Sequence, residues 1–565
     1  MSEAGTQGKP SKVEEIKKVS KQLRGNIAAE LINGKTYFTE ESIQVLKFHG
    51  MYQQDDRDLR QQLKKEGKDK AYSMMIRARI PGGVLSSDAY LQFDRLSDQF
   101  GNGTLRITTR QTFQVHGILK ANVKQTVRAI NDVLITTLGG CGDQVRNILL
   151  CPAPHHGRFY QQLREQLAQL VDVLSAKTAA YHEIWLDGEK VASGEPDEEA
   201  LYGQTYLPRK FKLAIAIEGD NCLDVYANDL GIVAHRDGDC VFGYTLLVGG
   251  GMGRNHTKKD TYPRTASPLA FVLPEELVET AVAIVAIQRD YGNRIDRQYS
   301  RFKYLLDERG LEWFRTELEQ RLGHTLQAPK KLIWSETSDH LGWHAQGDGR
   351  YFLGLPIQNG RIEDREHCRL KTALREIMKQ FTPEIHLTTS QNMLLCNLLA
   401  ADRALLETML HNYGVSLVED ISKAERYAMA CPALPTCGLA ITESERVLPS
   451  VIKKLEEVLT ELGLQEEEIT IRMTGCPNGC ARPYVSDIGF VGRAPGKYDV
   501  YLGGDFYGTH LNELYAELID LEKLPETVRY VLQDFKEHKH PKERFGHYCN
   551  RIGVSELKKR VNVLT

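Results

Sequence analysis

The stretch that decides the fold is LRITTRQTFQVHGI, residues 105–118, because a second copy of its pattern occurs later in the chain. Residues 385–398 read IHLTTSQNMLLCNL and share its register at a separation of 280 residues. LCPAP, which contains Cys151, and ACPALP, which contains Cys431, have the same separation. Two coincidences at one separation indicate an internal duplication rather than chance similarity between strands.

A third pair follows in the same order at a slightly shorter separation: NDLGIVAH from Asn228 and SDIGFVGR from Ser486. The duplication predicts two related halves around a pseudo-two-fold axis, with a site between them that has diverged in one copy. The cysteines show the divergence. The first copy has only Cys151 at the matching place, whereas the second begins a set of four at Cys431.

That set consists of Cys431 and Cys437 in CPALPTC, and of Cys476 and Cys480 in TGCPNGC. Zinc sites favour closer pairs, whereas an iron-sulfur cubane needs four sulfurs spread around a larger body. The spacing therefore favours an iron-sulfur cluster over zinc or structural thiols. The other seven cysteines lack such company and are predicted to be ordinary buried or half-buried thiols: Cys141, Cys151, Cys222, Cys240, Cys368, Cys396 and Cys549.

Length and composition predict a cytoplasmic protein of several domains. The chain has 565 residues, with 72 basic and 75 acidic side chains and a formal charge of -3, so nothing points to nucleic acid. It has no signal sequence and no long apolar run, which predicts no membrane segment. Residues 1–24 hold six basic and three acidic side chains with little apolar periodicity, which predicts a mobile arm.

The local pattern around the cysteines predicts a helix and then a strand. The helix follows residue 441, with Thr442 and Glu445 as a possible capping box, although Pro449 favours a later start; Gly463 marks its end. EITIRM alternates apolar and polar residues as a strand does, and leads into the TGCPNGC loop.

Polar side chains are concentrated in the first copy of the repeat. Alternation along one strand would send five of them to one face, too many for a core: Arg106, Thr108, Arg110, Gln114 and His116. A solvated strand face is the alternative interpretation. Lys210 and Lys212 also alternate onto one side of a strand. LLVGGGMG from Leu246 is a weak signal, and the missing Lys-Ser/Thr argues against a P-loop.

Taken together, C-x5-C followed by TGCPNGC, RITTRQTFQVHG, YLPRKFK and the LKFHGMYQQDDRD segment resemble the sulfite and nitrite reductases that carry sirohaem and a 4Fe-4S cluster. The match spans roughly residues 25–555 and is most similar to the assimilatory, NADPH-dependent branch. The resemblance implies an α+β, internally duplicated, pseudo-two-fold fold, with ferredoxin-like halves and two mixed α/β domains that bind sirohaem and the cluster. The implied boundaries are an N-terminal arm and partner-contact segment at 1–70, first half 71–145, sirohaem and substrate domain 146–344, second half 345–420 and cluster domain 421–565.

The resemblance also implies site residues. The cluster ligands are Cys431, Cys437, Cys476 and Cys480, and the sulfur of Cys480 is also the proximal ligand of the sirohaem iron. Sirohaem, which has eight carboxylates, is bound by Arg106, Thr108, Arg110, Gln114 and His116. The substrate oxyanion is held by Arg77, Arg146, Lys210 and Lys212. Arg79 would share a face with Arg77 on a regular strand, so the choice between these two arginines rests on the resemblance.

The implied function is the six-electron reduction of sulfite to sulfide in sulfate assimilation and cysteine biosynthesis. No G-x-G-x-x-G follows a strand, so electrons are predicted to come from a flavoprotein (alpha) subunit that carries FAD and FMN and uses NADPH, with ferredoxin as the alternative donor. Nitrite reduction to ammonia is the nearest rival, and Lys212 argues against it because nitrite-specific enzymes look to have asparagine there. A non-catalytic protein with a structural four-cysteine site is the other rival. The basic N-terminal arm is hypothesised to contact the acidic surface of the flavoprotein.

Overall fold

The computed structural model describes residues 8–177, 183–186, 189–193 and 199–564. The helices of this part of the chain are α1 Lys12–Val19, α2 Ile27–Leu31, α3 Glu40–Leu46, α4 Arg60–Lys65, α5 Ser87–Gln99, α6 Val123–Asn131, α7 Arg158–Leu174, α8 Leu277–Tyr291, α9 Phe302–Arg309, α10 Leu311–Leu322, α11 Leu370–Phe381, α12 Arg403–Asn412, α13 Lys423–Arg426, α14 Leu448–Leu462, α15 Leu524–His538, α16 Phe545–Ile552 and α17 Val554–Leu564. Among the described residues, no helix is both long and apolar enough to cross a membrane.

The strands lie between these helices, singly or in runs. They are β1 Met51–Asp55, β2 Tyr72–Arg77, β3 Val84–Leu85, β4 Leu105–Ile107, β5 Phe113–Ile118, β6 Leu149–Leu150, β7 Glu183–Leu186, β8 Glu189–Ser193, β9 Leu213–Ile217, β10 Gly219–Asp220, β11 Leu230–Asp237, β12 Cys240–Val248, β13 Ser267–Val272, β14 Trp334–Glu336, β15 Gly342–Ala345, β16 Tyr351–Leu355, β17 Arg361–Ile362, β18 Asp364–Arg365, β19 Cys368–Arg369, β20 Glu384–Leu387, β21 Met393–Leu398, β22 Ala428–Ala430, β23 Ile471–Thr474, β24 Ile488–Ala494, β25 Lys497–Leu502 and β26 Glu513–Asp520.

Two five-stranded sheets form the ferredoxin-like halves, and each half lends a strand to the other. The first sheet has the order β1-β2-β5-β4-β17 and the second β15-β16-β21-β20-β3. Strand β17 comes from the second half of the chain and pairs with β4, whereas β3 comes from the first half and pairs with β20. The two halves share one apolar core, to which α5 and α11 both contribute.

Two larger sheets repeat one another in the same way. In the first, β6, β9 and β11 are parallel and β12 and β13 continue antiparallel; in the second, β22, β23 and β24 are parallel and β25 and β26 continue antiparallel. The first packs against α7 and α8 and the second against α14 and α15, each around its own apolar core. The predicted duplication and fold class are confirmed.

The duplication extends to single hydrogen bonds. Gln111 Nε2 donates to Leu150 O at 2.8 Å, and Gln391 Nε2, 280 residues later, donates to Ala430 O at 3.0 Å. Both glutamines have a positive φ, 51° and 69°. Non-glycine residues rarely adopt this conformation, so its repetition indicates that both turns are built alike.

Helix α14 and strand β23 lie where the sequence predicts them, but the capping box is wrong. The helix begins at Leu448 with Pro449 in its first turn, and Gly463 ends it with a φ of 69°. Thr442 Oγ1 instead donates to Tyr498 Oη at 3.3 Å, and Glu445 pairs with Arg361 and Arg106. Glu445 therefore forms ion pairs with residues distant in sequence instead of capping the helix.

The prediction of one strand over residues 105–118 is also wrong. The segment is the hairpin β4–β5, closed where Thr108 N donates to Thr112 O at 2.9 Å and where Gln111 takes the left-handed conformation. Arg106 lies opposite Gln114 in this hairpin, so these two side chains still share a face.

The predicted mobile arm is a packed element over its described part, residues 8–24. Lys17 and Glu14 on α1 are 1% and 5% exposed and form an ion pair, and Lys17 Nζ lies 3.7 Å from Asp143 Oδ2. Lys17 Nζ also donates to Leu207 O at 2.8 Å. The charged composition was misleading because these charges are neutralised by partners far away in sequence; residues 1–7 lie outside the described part.

The predicted boundary of the first half is not the edge of its sheet. Strand β1, at residues 51–55, pairs antiparallel with β2 and so belongs to the first ferredoxin-like sheet, upstream of residue 71. A partner-contact role for residues 1–70 stays a prediction.

Candidate active site

The four cysteines of the second half come from two loops that follow the parallel strands β22 and β23. Cys431 and Cys476 are buried, Cys437 is half-buried and Cys480 is exposed. Burial and the nearby Cys480 sulfur raise the pKa of Cys431 to about 12, and the same two causes raise the pKa of Cys437 and Cys476. Burial disfavours the thiolate form of these three cysteines, so a positively charged group bound between the two loops would be needed to hold them as thiolates.

One backbone amide and one side-chain amide donate hydrogen bonds to two of these sulfurs. Gly475 N donates to Cys431 Sγ at 3.4 Å, and Asn478 Nδ2 donates to Cys476 Sγ at 3.6 Å. A Cβ atom on Gly475 would lie 2.5 Å from Thr442 O, so only glycine permits this approach. Donors aimed at the sulfurs are one means by which a protein tunes an iron-sulfur cluster.

The glycine-rich sequence LLVGGGMG packs against the cysteine loop. Arg254 N donates to Pro477 O at 3.0 Å, and a Cβ on Gly479 would lie 2.9 Å from Met252 O. The weak glycine signal therefore reflects close backbone packing between the two large domains.

Two of the four predicted substrate-binding cations, Arg77 and Lys210, lie within electrostatic range of the exposed Cys480. Arg146 and Lys212 belong to the same group of charges, because each lies within electrostatic range of Lys210. Arg146 is positioned by Gly142 O, which accepts from its Nε at 2.7 Å, and by Gly140 O, which accepts from its Nη1 at 3.3 Å.

The two lysines have no hydrogen-bond partner for their ammonium groups among the described residues. They flank Phe211, which is fully buried and bridges to Val145. Burial and the charges of Arg301, Arg209 and Arg146 lower the pKa of Lys210 to about 7. Burial and the adjacent Lys210 hold the pKa of Lys212 well below its ordinary value. Two half-buried cations without partners form a site that an anion would stabilise.

The structure separates Arg79 from Arg77. Arg77 Nη1 donates to Cys141 Sγ at 3.2 Å, on the side of the other cations. Arg79 lies beyond the end of β2, where its N donates to Thr136 O and its Nη1 donates to Ser175 Oγ at 2.6 Å. The strand alternation that would have placed them together ends at Arg77.

The five polar side chains of the first repeat lie in or near the β4–β5 hairpin. Arg106 is 2% exposed, and its Nε donates to Glu445 Oε2 at 2.8 Å. Arg106 and Arg361 together lower the pKa of the half-buried Glu445 carboxyl to about 2. The backbone N of Arg110 donates to Thr108 Oγ1 at 3.1 Å. Arg106 is therefore already neutralised within the protein.

Arg110 is less well compensated. Its Nη1 donates to Asn228 Oδ1 at 2.6 Å and its Nη2 to Leu213 O at 3.0 Å, but its buried Nε has no partner among the described residues. Burial and the neighbouring Arg146 lower its pKa to about 9. This arginine is oriented by the protein and retains a donor.

Gln114 bridges Arg77 and His116. With its side-chain oxygen turned toward Arg77 it accepts from Nε at 3.1 Å, and its amide nitrogen then lies 3.3 Å from His116 Nε2. Burial, together with Arg361 and Arg106, lowers the pKa of His116 to about 3, so the imidazole is neutral.

Sequence reasoning missed two residues of this region. Cys141, treated as an ordinary thiol, accepts from Arg77 within the cation group. Asp224 is a buried carboxylate that pairs with Arg472 at 2.6 Å and with Arg482, two residues after Cys480. The sequence did contain a signal for Asp224. It precedes the NDLG motif by the same number of residues as Arg482 precedes the equivalent SDIG motif.

These residues fit the cofactors that the resemblance implies. Two loops supply four sulfurs, two of which accept hydrogen bonds from amide donors, and the exposed Cys480 lies within electrostatic range of Lys210, whose ammonium group lacks a partner among the described residues. Such a set suits a cluster held by the four sulfurs, with an anionic macrocycle and an anionic substrate held by the cations.

Comparisons with known proteins agree with this geometry. The family model described as nitrite and sulphite reductase 4Fe-4S domain matches residues 167–326 and 423–564. The nitrite/sulfite reductase ferredoxin-like half domain matches residues 65–133 and 344–413. Each model matches twice, once in each half of the chain.

Relatives and one solved structure cover almost the whole chain. The NADPH sulfite reductase hemoprotein beta-component of Staphylococcus carnosus (strain TM300) is 44% identical over 96% of this chain and 96% of its own length. The ferredoxin sulfite reductase of Synechococcus elongatus (strain ATCC 33912 / PCC 7942 / FACHB-805) is 43% identical over 99% of this chain and 92% of its own length. The Mycobacterium tuberculosis NirA structure shares the fold, with a TM-score of 0.78 at 24% identity over 97% of this chain and 98% of that one. The chain belongs to the nitrite and sulphite reductase family.

Proposed function

We propose that this chain is the haemoprotein component of an assimilatory sulfite reductase, which reduces sulfite to sulfide with six electrons. The observation that carries the proposal is the pair Lys210 and Lys212, whose ammonium groups have no partner among the described residues. Lys210 lies within electrostatic range of Arg146 and of Cys480, and Arg77 is also within range of Cys480. Relatives named sulfite reductase, 43–44% identical over nearly the full length, support it.

The cofactors would be held by residues of both halves. Cys431, Cys437, Cys476 and Cys480 would bind the 4Fe-4S cluster, and Cys480 would also ligate the sirohaem iron. When bound, these cofactors supply the electrons that side chains cannot store. Arg110, Thr108, Gln114 and His116 would contact the sirohaem carboxylates directly. Arg106 would contribute to sirohaem binding indirectly, because its ion pair with Glu445 stabilises the hairpin that carries these residues.

The substrate would be held by charge. Arg77 and Arg146 are fixed by Cys141 and by the carbonyls of Gly140 and Gly142, so little order is lost when they bind an oxyanion. Lys210 and Lys212 would neutralise the remaining charge of the sulfite dianion. Because burial and neighbouring cations lower the pKa of Lys210 to about 7, this ammonium group would supply one of the two protons that an oxygen needs to leave as water.

Nitrite reduction is the second candidate because it uses the same cofactors. A monoanion needs less compensation than a dianion, so a second lysine at position 212 favours sulfite. The non-catalytic alternative gives no account of why the ammonium groups of Lys210 and Lys212 lack partners among the described residues.

Electrons would come from a separate protein. The relatives named above include both an NADPH enzyme and a ferredoxin enzyme, and a flavoprotein that carries FAD and FMN is our preferred donor.

All eleven cysteines are free, which is in keeping with the reducing cytoplasm.

The purified chain tests the proposal. It should show a Soret-like band, contain iron and acid-labile sulfide, and form one sulfide for every six electrons taken from an artificial reductant. The rate with nitrite should be compared at the same concentration. Greater efficiency with nitrite would favour the second candidate, and the absence of a haem band would exclude both.

A further inference from the structure

Outside the active site, four metal-ligating side chains from the first half of the chain and the linker after it meet at one point. They are Cys151, Asp220, Cys222 and His340, and one ligand atom of each lies within 4.8 Å of all the others. Both thiols and the imidazole are buried, and the carboxylate is half-buried. Cys151 Sγ lies 3.9 Å from His340 Nε2.

Three separate segments build this cluster, and backbone hydrogen bonds fix each of them. Cys151 directly follows β6, and its N donates to Ile215 O at 3.3 Å. Asp220 ends β10, and its Oδ1 accepts from the backbone N of Cys222 and of Ser338, both at 3.0 Å. His340 lies in the segment that leads from β14 into the second ferredoxin-like half.

The cluster occupies the pseudo-two-fold counterpart of the cysteine loops in the active site. Cys151 matches Cys431, and Cys222 matches Cys480 at the separation of 258 residues that relates Asn228 to Ser486.

A hydrogen bond repeats this equivalence. Thr109 Oγ1 donates to Cys480 O at 3.3 Å, and its counterpart Thr389 Oγ1 donates to Cys222 O at 2.7 Å. The first half therefore retains two of the four cysteine positions, and Asp220 and His340 stand beside them.

The two non-sulfur groups are oriented as metal ligands usually are. His340 Nδ1 lies 3.0 Å from Ser338 Oγ, and when Nδ1 donates its proton to that oxygen the lone pair of Nε2 faces Cys151. Asp220 uses Oδ1 for the two backbone donors, and its Oδ2 has no hydrogen bond from any described residue.

We propose that Cys151, Asp220, Cys222 and His340 bind one zinc ion in a tetrahedral structural site. Two thiols are too few for a cubane, whereas two sulfurs, an imidazole and a carboxylate are a set that zinc accepts. Around a tetrahedral zinc ion the two sulfurs are about 3.8 Å apart and the nitrogen and oxygen about 3.3 Å apart, so no pair of ligand atoms needs to approach by more than about 1.5 Å. The ion would fasten the segment entering the second ferredoxin-like half to the sirohaem domain.

The test uses the untagged holoenzyme from cells grown with zinc, dialysed against a weak chelator. Elemental analysis should find about one zinc per chain in addition to the iron. Absorption at the zinc edge, where iron does not interfere, should show two sulfur neighbours at about 2.3 Å and two lighter ones at about 2.0–2.1 Å. This measurement requires no variant.

Cys222→Ser should lose the zinc and retain its iron, whereas Cys396→Ser, a buried cysteine away from the cluster, should retain both metals. Three results would overturn the proposal: a holoenzyme without zinc, zinc with no sulfur neighbour, or a Cys151–Cys222 disulfide found in its peptides by mass spectrometry. Because these results concern zinc alone, they are distinguishable from a failure of sulfite reduction.

Discussion

At the scale of single residues, Lys212 is the side chain that should separate sulfite from nitrite. Lys212→Asn removes one charge beside a dianion, so kcat/KM for sulfite should fall about tenfold to a hundredfold, with a smaller loss for nitrite. The measurement is steady-state kinetics with an artificial reductant. Lys259→Asn, on an exposed loop, is the matched control. Equal losses for both substrates would remove Lys212 from the substrate site.

Lys210 should give sulfite binding a pH dependence. Its ammonium group is charged below a pKa of about 7 and neutral above it, so its contribution to binding is lost as the pH rises. An anionic cofactor moves this loss to higher pH, and sulfite's own ionisation affects all variants equally. The arginine of Lys210→Arg stays charged at alkaline pH. In this variant KM for sulfite should therefore begin to rise at a higher pH than in the unmodified enzyme. Identical profiles would contradict the assignment.

Cys480 is predicted to serve two cofactors at once. Cys480→Ser should therefore lose the haem band, the iron and the acid-labile sulfide together, with no detectable sulfite reduction. Cys240→Ser, at a half-buried cysteine on β12, should retain all of them. A variant that kept its cluster and lost only sirohaem would show that the two sites do not share this sulfur.

At the scale of elements, α1 supports the loop that carries Arg146. Lys17 on this helix contacts Asp143, which lies between Cys141 and Arg146. Lys17→Ala leaves two buried carboxylates with less compensation, which should cost about 3–5 kcal/mol of stability.

Thermal unfolding and two assays measure this effect. The melting temperature should fall, and flavoprotein-driven and dye-driven sulfite reduction should decrease together. Lys18, the adjacent residue, is exposed, so Lys18→Ala should change neither the melting temperature nor the two rates. If only the flavoprotein-driven rate fell, α1 would be a partner-contact element, as its charge first suggested.

The same elements show what sequence patterns can predict. Periodicity and glycine placed α14 and its end correctly because both are local properties. The hairpin at 108–112 was missed because Gln111 adopts a positive φ without the usual glycine or asparagine. Glu445 was given to a helix cap because its partner Arg106 lies far away in the sequence.

At the scale of the whole molecule, the halves meet at an ion pair between equivalent positions. Asp224 and Arg482 are 258 residues apart, both have a positive φ, and they contact each other near the axis. Asp224→Asn leaves Arg482 and Arg472 without their carboxylate in a buried place and should cost about 3–5 kcal/mol. The midpoint of thermal unfolding measures this. Asp520→Asn, in an exposed pair with Lys497, should leave the midpoint unchanged.

The duplication itself was predictable because two motifs share one separation, and so were the cysteines of the second half. Cys222 was missed because the separation between equivalent positions of the two halves is 280 residues at Cys151 but 258 residues at Asn228. Insertions between these two points hide the equivalence of Cys222 and Cys480. The sequence could not predict that Arg110, Lys210 and Lys212 keep N–H groups without an acceptor, because this depends on which side chains lie next to them in the folded protein.

The exchange of β3 and β17 has a consequence for synthesis on the ribosome. The first ferredoxin-like sheet lacks its edge strand until Arg361 and Ile362 have emerged, long after the rest of that sheet has been translated. The nascent chain therefore presents an unpaired strand edge while residues 108–360 are translated, which exposes it to aggregation and makes it a substrate for chaperones. Once both strands are in place, neither half can leave without breaking the other's sheet.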